Sequence, residues 1–112
     1  MSECIFCKIA GKKMSADIVH EDDLIIAFRD ISPAAGVHIL IIPKKHIEGI
    51  AGITAEDKDL AGHILLSANK IAEKEKISRT GFRVLANQGA DAGQIIGHLH
   101  FHLLGGEKLK AI

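Results

Sequence analysis

Three histidines near the end of the chain, His98, His100 and His102, alternate with Leu99, Phe101 and Leu103. A β-strand has a side-chain period of two, so this spacing predicts three imidazoles on one face and three apolar side chains on the other. One histidine in such a place is most simply a strand residue satisfied by a hydrogen bond. Three in strict alternation gather groups that titrate near neutral pH, and that pattern points to shared chemistry. A neutral imidazole is a nucleophile toward phosphorus and a competent general base, and neighbouring rings can orient it or share its protons. Just upstream, Asn87–Gln94 is polar and Gly-rich. Gly89, Gly93 and the Gln94 amide fall where N–H donors to a phosphate would be needed. Alone such a loop is a turn; coupled to the histidines it reads as an anion site.

Cys4 and Cys7 form a single Cys-x-x-Cys. Two thiols at this spacing are either half of a tetrahedral metal site or a chance pair. A redox Cys-x-x-Cys of the thioredoxin kind would need a βαβ context that the following residues lack.

The elements that must position these groups follow from the hydrophobic pattern. Cys4–Ile9 predicts a short helix ending at Gly11. Ile18–Glu21 and Leu24–Arg29 predict a hairpin turning at Asp22-Asp23, and Asp30–Gly36 a loop. Val37–Pro43 is β-branched and almost wholly apolar, as a central strand buried on both faces would be. A helical turn is expected around Glu48–Ala51. Thr54-Ala55-Glu56-Asp57 resembles a capping box with Asp at the last position. Beyond it Leu60, Ile64, Ala68 and Ile71 repeat at helical spacing, predicting an amphipathic helix of about six turns. Its solvated face would carry Lys58, Lys70, Glu73, Lys74 and Lys76. Gly81–Ala86 and His98–Leu104 complete the strands. The order predicts an α+β fold: about five antiparallel strands, one long helix and a short N-terminal helix.

Whole-chain properties narrow the function classes. Residues 1–112 read as one domain, long enough for a core without staples. Formal net charge is zero, so no electrostatic footprint for nucleic acid or an anionic membrane exists, and phosphate recognition must be local. No apolar run approaches the about 20 residues needed to span a bilayer, and the N-terminus does not resemble a signal peptide. The expected location is cytoplasmic.

His98-Leu99-His100-Phe101-His102-Leu103-Leu104 resembles the signature of the histidine triad (HIT) superfamily. Cys4–Ile9, Phe28–Pro33, His38–His46, Asn87 and Gly93-Gln94 resemble its other blocks in the same order. The nearest likeness is to the histidine triad nucleotide-binding branch. The resemblance implies a HIT-like fold, a homodimer with sheets joined edge to edge, and a nucleotidyl hydrolase or transferase working through a covalent nucleotidyl-histidine. His100 would attack the α-phosphate, His102 and Gln94 would hold phosphate oxygens, His98 would steady the nucleophile, and His38 would sit beside them. Asp30 would accept the ribose hydroxyls. Phe6, Ile9, Phe28 and Leu40 match positions that sandwich the purine, though by composition alone they are core residues. Asn87 and Gly93 match positions on the phosphate side.

The best-matching substrates are nucleoside 5′-monophosphate derivatives of the adenosine phosphoramidate type. Diadenosine polyphosphate cleavage, or nucleotide binding with vestigial activity, are the alternatives. No catalytic cofactor is implied. A structural zinc on Cys4, Cys7, His46 and His98 is implied by some bacterial members. Two departures stand out. Ile95 follows Gln94, where the branch usually has Ser or Thr to serve the leaving group, and the Trp-Pro-Pro-Gly-like tail is absent.

Overall fold

The computed structural model describes residues 4–112. Strands β1 (Ile18–Glu21), β2 (Ile25–Arg29), β3 (Val37–Pro43), β4 (Phe82–Leu85) and β5 (Phe101–Gly105) form one antiparallel sheet in the order β1-β2-β3-β5-β4. Helices α1 (Ile5–Ala10) and α2 (Lys58–Lys74) flank it. The expected α+β architecture is the observed one. Among the described residues no helix is long and apolar enough to cross a membrane.

Alternation of side chains across the sheet creates two cores. On one face Ile25, Ala27, Ile39, Ile41 and Leu103 pack against Ile64, Ala68, Ile71 and Ala72 of α2. On the other, Ile26, Phe28, Leu40 and Ile42 meet Phe6 and Ile9 of α1. Strand β3 contributes to both, which explains its unbroken apolar run. Its register sets Leu40 opposite His102 and Ile41 opposite Phe101, so the imidazoles emerge on the α1 side.

Local signals account for the ends of the elements. At the β1–β2 turn the Asp22 carboxylate accepts from the Leu24 and Ile25 N–H groups at 2.9 and 3.0 Å. The capping box is present. The Asp57 carboxylate accepts from the Thr54 N–H at 3.0 Å, and the Thr54 hydroxyl accepts from the Glu56 N–H at 3.3 Å.

Four details differ from the sequence expectation. The capped turn, Ala55–Asp57, is 3-10, and α2 runs only 17 residues, about five turns. Lys76 turns out of the helix with φ 64° and does not lie on its outer face. The helical turn expected at Glu48–Ala51 is a 3-10 turn at Ile50–Gly52. Most consequential, β5 begins at Phe101. His98 and His100 precede it, in a segment that the Leu99 N–H holds by a 2.6 Å bond to the Ile47 carbonyl instead of by a strand ladder.

Candidate active site and metal centre

Three of the imidazoles, His38, His98 and His100, are held by backbone groups and His102 by the His38 ring, and those bonds decide which ring nitrogen carries the proton. The buried His98 ring donates from Nε2 to the Pro43 carbonyl at 2.9 Å, leaving its Nδ1 lone pair free. His100 donates from Nδ1 to the His98 carbonyl at 2.7 Å. Its Nε2 therefore bears the lone pair, and no described residue engages it. The Ala34 N–H donates to Nδ1 of His38 at 2.9 Å, which puts the His38 proton on Nε2. That N–H donates to Nδ1 of His102 at 2.9 Å. The His102 proton is thereby assigned to its own Nε2. In a neutral imidazole only one nitrogen donates, so the chain Ala34, His38, His102 has a single polarity.

Ring contacts join the set. His100 and His102 centroids lie 5.1 Å apart, as do those of His38 and His102. Phe6 packs edge-on against both His98 and His100, at 5.9 and 5.2 Å. Burial lowers the His102 pKa to about 4, helped by the charges of His100 and His38 and opposed by Asp30. Burial likewise pulls His38 down, against the attraction of Asp30. Both rings are held neutral at neutral pH. The result is an imidazole with a free electron pair, an arrangement able to act as a nucleophile, beside a ring that can donate a hydrogen bond.

A groove of about 530 Å³ opens beside the imidazoles, within the range of small-molecule sites. Phe6, Ile9, Phe28 and Leu40 line it, and Phe6 and Phe28 meet edge to face at 5.6 Å. Asp30 lines it too. One carboxylate oxygen accepts from the Ser32 N–H at 2.8 Å; the other lies 3.5 Å from His38 Nε2. The five residues expected to hold a nucleoside are therefore brought together. Asp30, His38 and His102 cluster closely enough to invite a cation. The Ala34 bond, however, leaves a proton on the His38 nitrogen that would have to ligate it, and the trio reads as a hydrogen-bonded relay.

The phosphate-side residues are arranged differently. Gln94 spends its amide inside the loop. Its oxygen accepts from the Gly89 N–H at 2.8 Å, and its nitrogen donates to the Glu48 and Ile96 carbonyls at 2.7 and 3.1 Å. Gly93 adopts φ 86°, a left-handed conformation that suits glycine. Asn87 lies two residues beyond Leu85, the register partner of His102. Carried on by count, that register sets it level with His100. Ile95 is almost fully exposed.

Sequence reasoning missed the backbone partners, Ala34 N–H, Pro43 C=O and the His98 carbonyl. It also missed Ile5, Met14, Asp17 and Ile96 in the groove wall. Only the apolar Ile95-Ile96 pair after the Gly-rich loop offered a signal for them.

On the far side of Phe6, four ligand atoms converge. Nδ1 of His98 lies 3.3 Å from Cys4 Sγ, 3.5 Å from Cys7 Sγ and 3.1 Å from His46 Nδ1, with Cys7 Sγ 3.1 Å from His46 Nδ1. All four atoms fall within 4.8 Å of one another. Tetrahedral zinc with bonds of about 2.0–2.3 Å would set its ligands roughly 3.3–3.8 Å apart. The His98 Nδ1 lone pair points into this cluster because Pro43 holds the other nitrogen, the orientation an outer-shell partner provides. The donor set and its spacing fit a zinc ion.

The comparisons with known proteins agree with this fold. The HIT domain family model matches residues 12–109. A purine nucleoside phosphoramidase of Escherichia coli is 46% identical, over 96% of this chain and 90% of the relative. A histidine triad protein from Clostridium difficile superposes with a TM-score of 0.97 at 44% identity, covering 100% of this chain and 97% of the other. A histidine triad nucleotide-binding protein from Candida albicans gives a TM-score of 0.83 at 32% identity, covering 98% and 86%.

Proposed function

The chain belongs to the HIT domain family, as a hydrolase of that family, and from that premise we propose that it hydrolyses purine nucleoside 5′-monophosphate derivatives, adenosine phosphoramidates above all. The observation that carries the proposal is the free Nε2 of His100, made available by the Nδ1–H bond to the His98 carbonyl. The purine lies between Phe6, Ile9, Phe28 and Leu40, and Asp30 accepts from the ribose hydroxyls, since one carboxylate can accept from both. His102 donates from Nε2 to a phosphate oxygen. Gly93, Gln94 and Asn87 complete the phosphate side, Gln94 by releasing one of its loop bonds.

In the first step the His100 Nε2 electron pair forms a bond to the α-phosphorus. The P–N bond to the leaving amine breaks and its electron pair stays on that nitrogen. Ile95 has no proton to give, so the amine takes its proton from water or carries it from the start. In the second step water attacks phosphorus and the P–Nε2 bond breaks. Free His100, the nucleoside monophosphate and a proton result. Dividing one displacement into two is the advantage of a covalent route.

The purine nucleoside phosphoramidase name of the Escherichia coli relative supports the substrate class. His100→Asn tests the role directly. The variant should keep its fold and nucleotide affinity while turnover falls by about a thousandfold or more; near-normal rates would refute the covalent route.

The same family reading includes a structural zinc on Cys4, Cys7, His46 and His98, which when bound ties α1 to the two loops behind the triad. It also includes a homodimer, for which β4 offers an outer sheet edge and α2 the exposed Leu65 and Leu66.

A further inference from the structure

A second groove, of about 400 Å³, lies beside the first. Ile5 and Ile96 line both, forming a shared ridge. That ridge is anchored to the nucleoside site at each end: Ile5 precedes Phe6, and Ile96 packs on the core of Phe6, Ile9, Phe28 and Leu40. Beyond the ridge the wall is Ile95, 93% exposed, with Gly97 and with Cys4 and His46 of the Cys/His cluster. Exposure of one isoleucine is ordinary in itself; what distinguishes Ile95 is that its apolar surface lies in a groove continuous with the first through Ile5 and Ile96. Glu48 lines the same groove. Its backbone carbonyl is held by Gln94, and its carboxylate makes no ion pair with any described residue.

We propose that this groove holds the departing amine, and that the substrates it favours carry an uninterrupted apolar chain on that amine without a negative charge at the end. The inference rests on the nucleotidyl-hydrolase reading above. A conjugate with its purine on Phe6 and its phosphorus at His100 has two exits, open water or the Ile5–Ile96 ridge. A chain crossing the ridge removes Ile95 and itself from water. Glu48 repels a carboxylate placed there. Ile95 thus acts as a specificity residue where the branch has a hydroxyl.

The test is a series of adenosine 5′-phosphoramidates of ethylamine, butylamine and hexylamine, whose amines are nearly equally basic, together with 6-aminohexanoate. Along the alkyl series kcat/KM should rise by about two- to fourfold per methylene until the groove is filled. The 6-aminohexanoate conjugate should fall at least about fivefold below hexylamine, and Glu48→Gln should close most of that gap. Ile95→Ser, a surface change without risk to the fold, should flatten the alkyl slope whatever its effect on absolute rates. A flat series in the wild-type protein, with every member hydrolysed, overturns the groove assignment and leaves the proposed activity standing. A slope that persists in Ile95→Ser overturns it equally. Failure to hydrolyse any member, with AMP still bound, removes the activity and the groove assignment together.

Discussion

At the residue scale, three similar rings are differentiated by their hydrogen-bond partners, two backbone carbonyls and the His38 ring. His98 is left with an unprotonated Nδ1, His100 with an unprotonated Nε2 and His102 with an Nε2–H, and in the proposed function these ligate, attack and donate in turn. The last depends on the bond from His38 to Nδ1 of His102, which in the proposed reaction makes His38 a positioning residue. Removing that donor frees His102 to adopt the other tautomer, and errors of this kind are costly in catalysis. His38→Phe should lower kcat by about tenfold to a hundredfold, while His38→Gln, which keeps an N–H donor, should retain more activity. Nitrogen NMR of His102 would follow the tautomer directly, and unchanged kcat together with an unchanged His102 spectrum in His38→Phe would contradict the relay. The spacing of the histidines revealed their common face. Their tautomers were not legible, because they hang on bonds that only the folded backbone creates, near in sequence for His100 and distant for His98 and His102.

At the element scale, α1 serves two sites. Cys4 and Cys7 join the Cys/His cluster that could hold zinc, while Phe6 and Ile9 line the groove proposed for the nucleoside. Zinc would therefore hold the purine wall as well as the N-terminal segment. Protein purified without added zinc should contain about one zinc per chain. Replacing Cys4 and Cys7 by Ser should abolish it and lower the thermal midpoint by about 5–10 °C, the scale of roughly 2 kcal/mol in a chain of this size. Wild-type protein without zinc would contradict the site.

The sheet and both helices were legible from apolar period, turn residues and the Thr54 capping box. The late start of β5 was not. Alternation from His98 to Leu103 looks like continuous strand, yet the first part of it is shaped by the Leu99 bond to Ile47 and by the bond of the buried His98 ring to Pro43. Strand-like alternation survives there without strand pairing. Likewise Gln94 looked free to meet a phosphate from its place in a Gly-rich loop, whereas the fold employs its amide to close that loop.

At the scale of the whole molecule, the sheet is an asymmetric device. Its α2 side is closed core, and its α1 side carries the imidazoles, the groove and the Cys/His cluster. Strand β4 remains at an outer edge, and Leu65 and Leu66 of α2 are 52% and 63% exposed. In a homodimer that face would be covered. Light scattering should give about twice the 12.0 kDa chain mass, and Leu65→Glu with Leu66→Glu should shift the protein toward monomer. A wild-type monomer at tens of micromolar would count against the assembly.

In the proposed reaction the histidine segment works by two displacements at phosphorus, the first by His100. The stereochemical course reports this even when no intermediate accumulates. With an adenosine phosphoramidothioate of defined configuration at phosphorus, hydrolysed in oxygen-labelled water, two in-line displacements predict net retention. Net inversion would mean that water attacks directly, and the covalent role of His100 would be wrong.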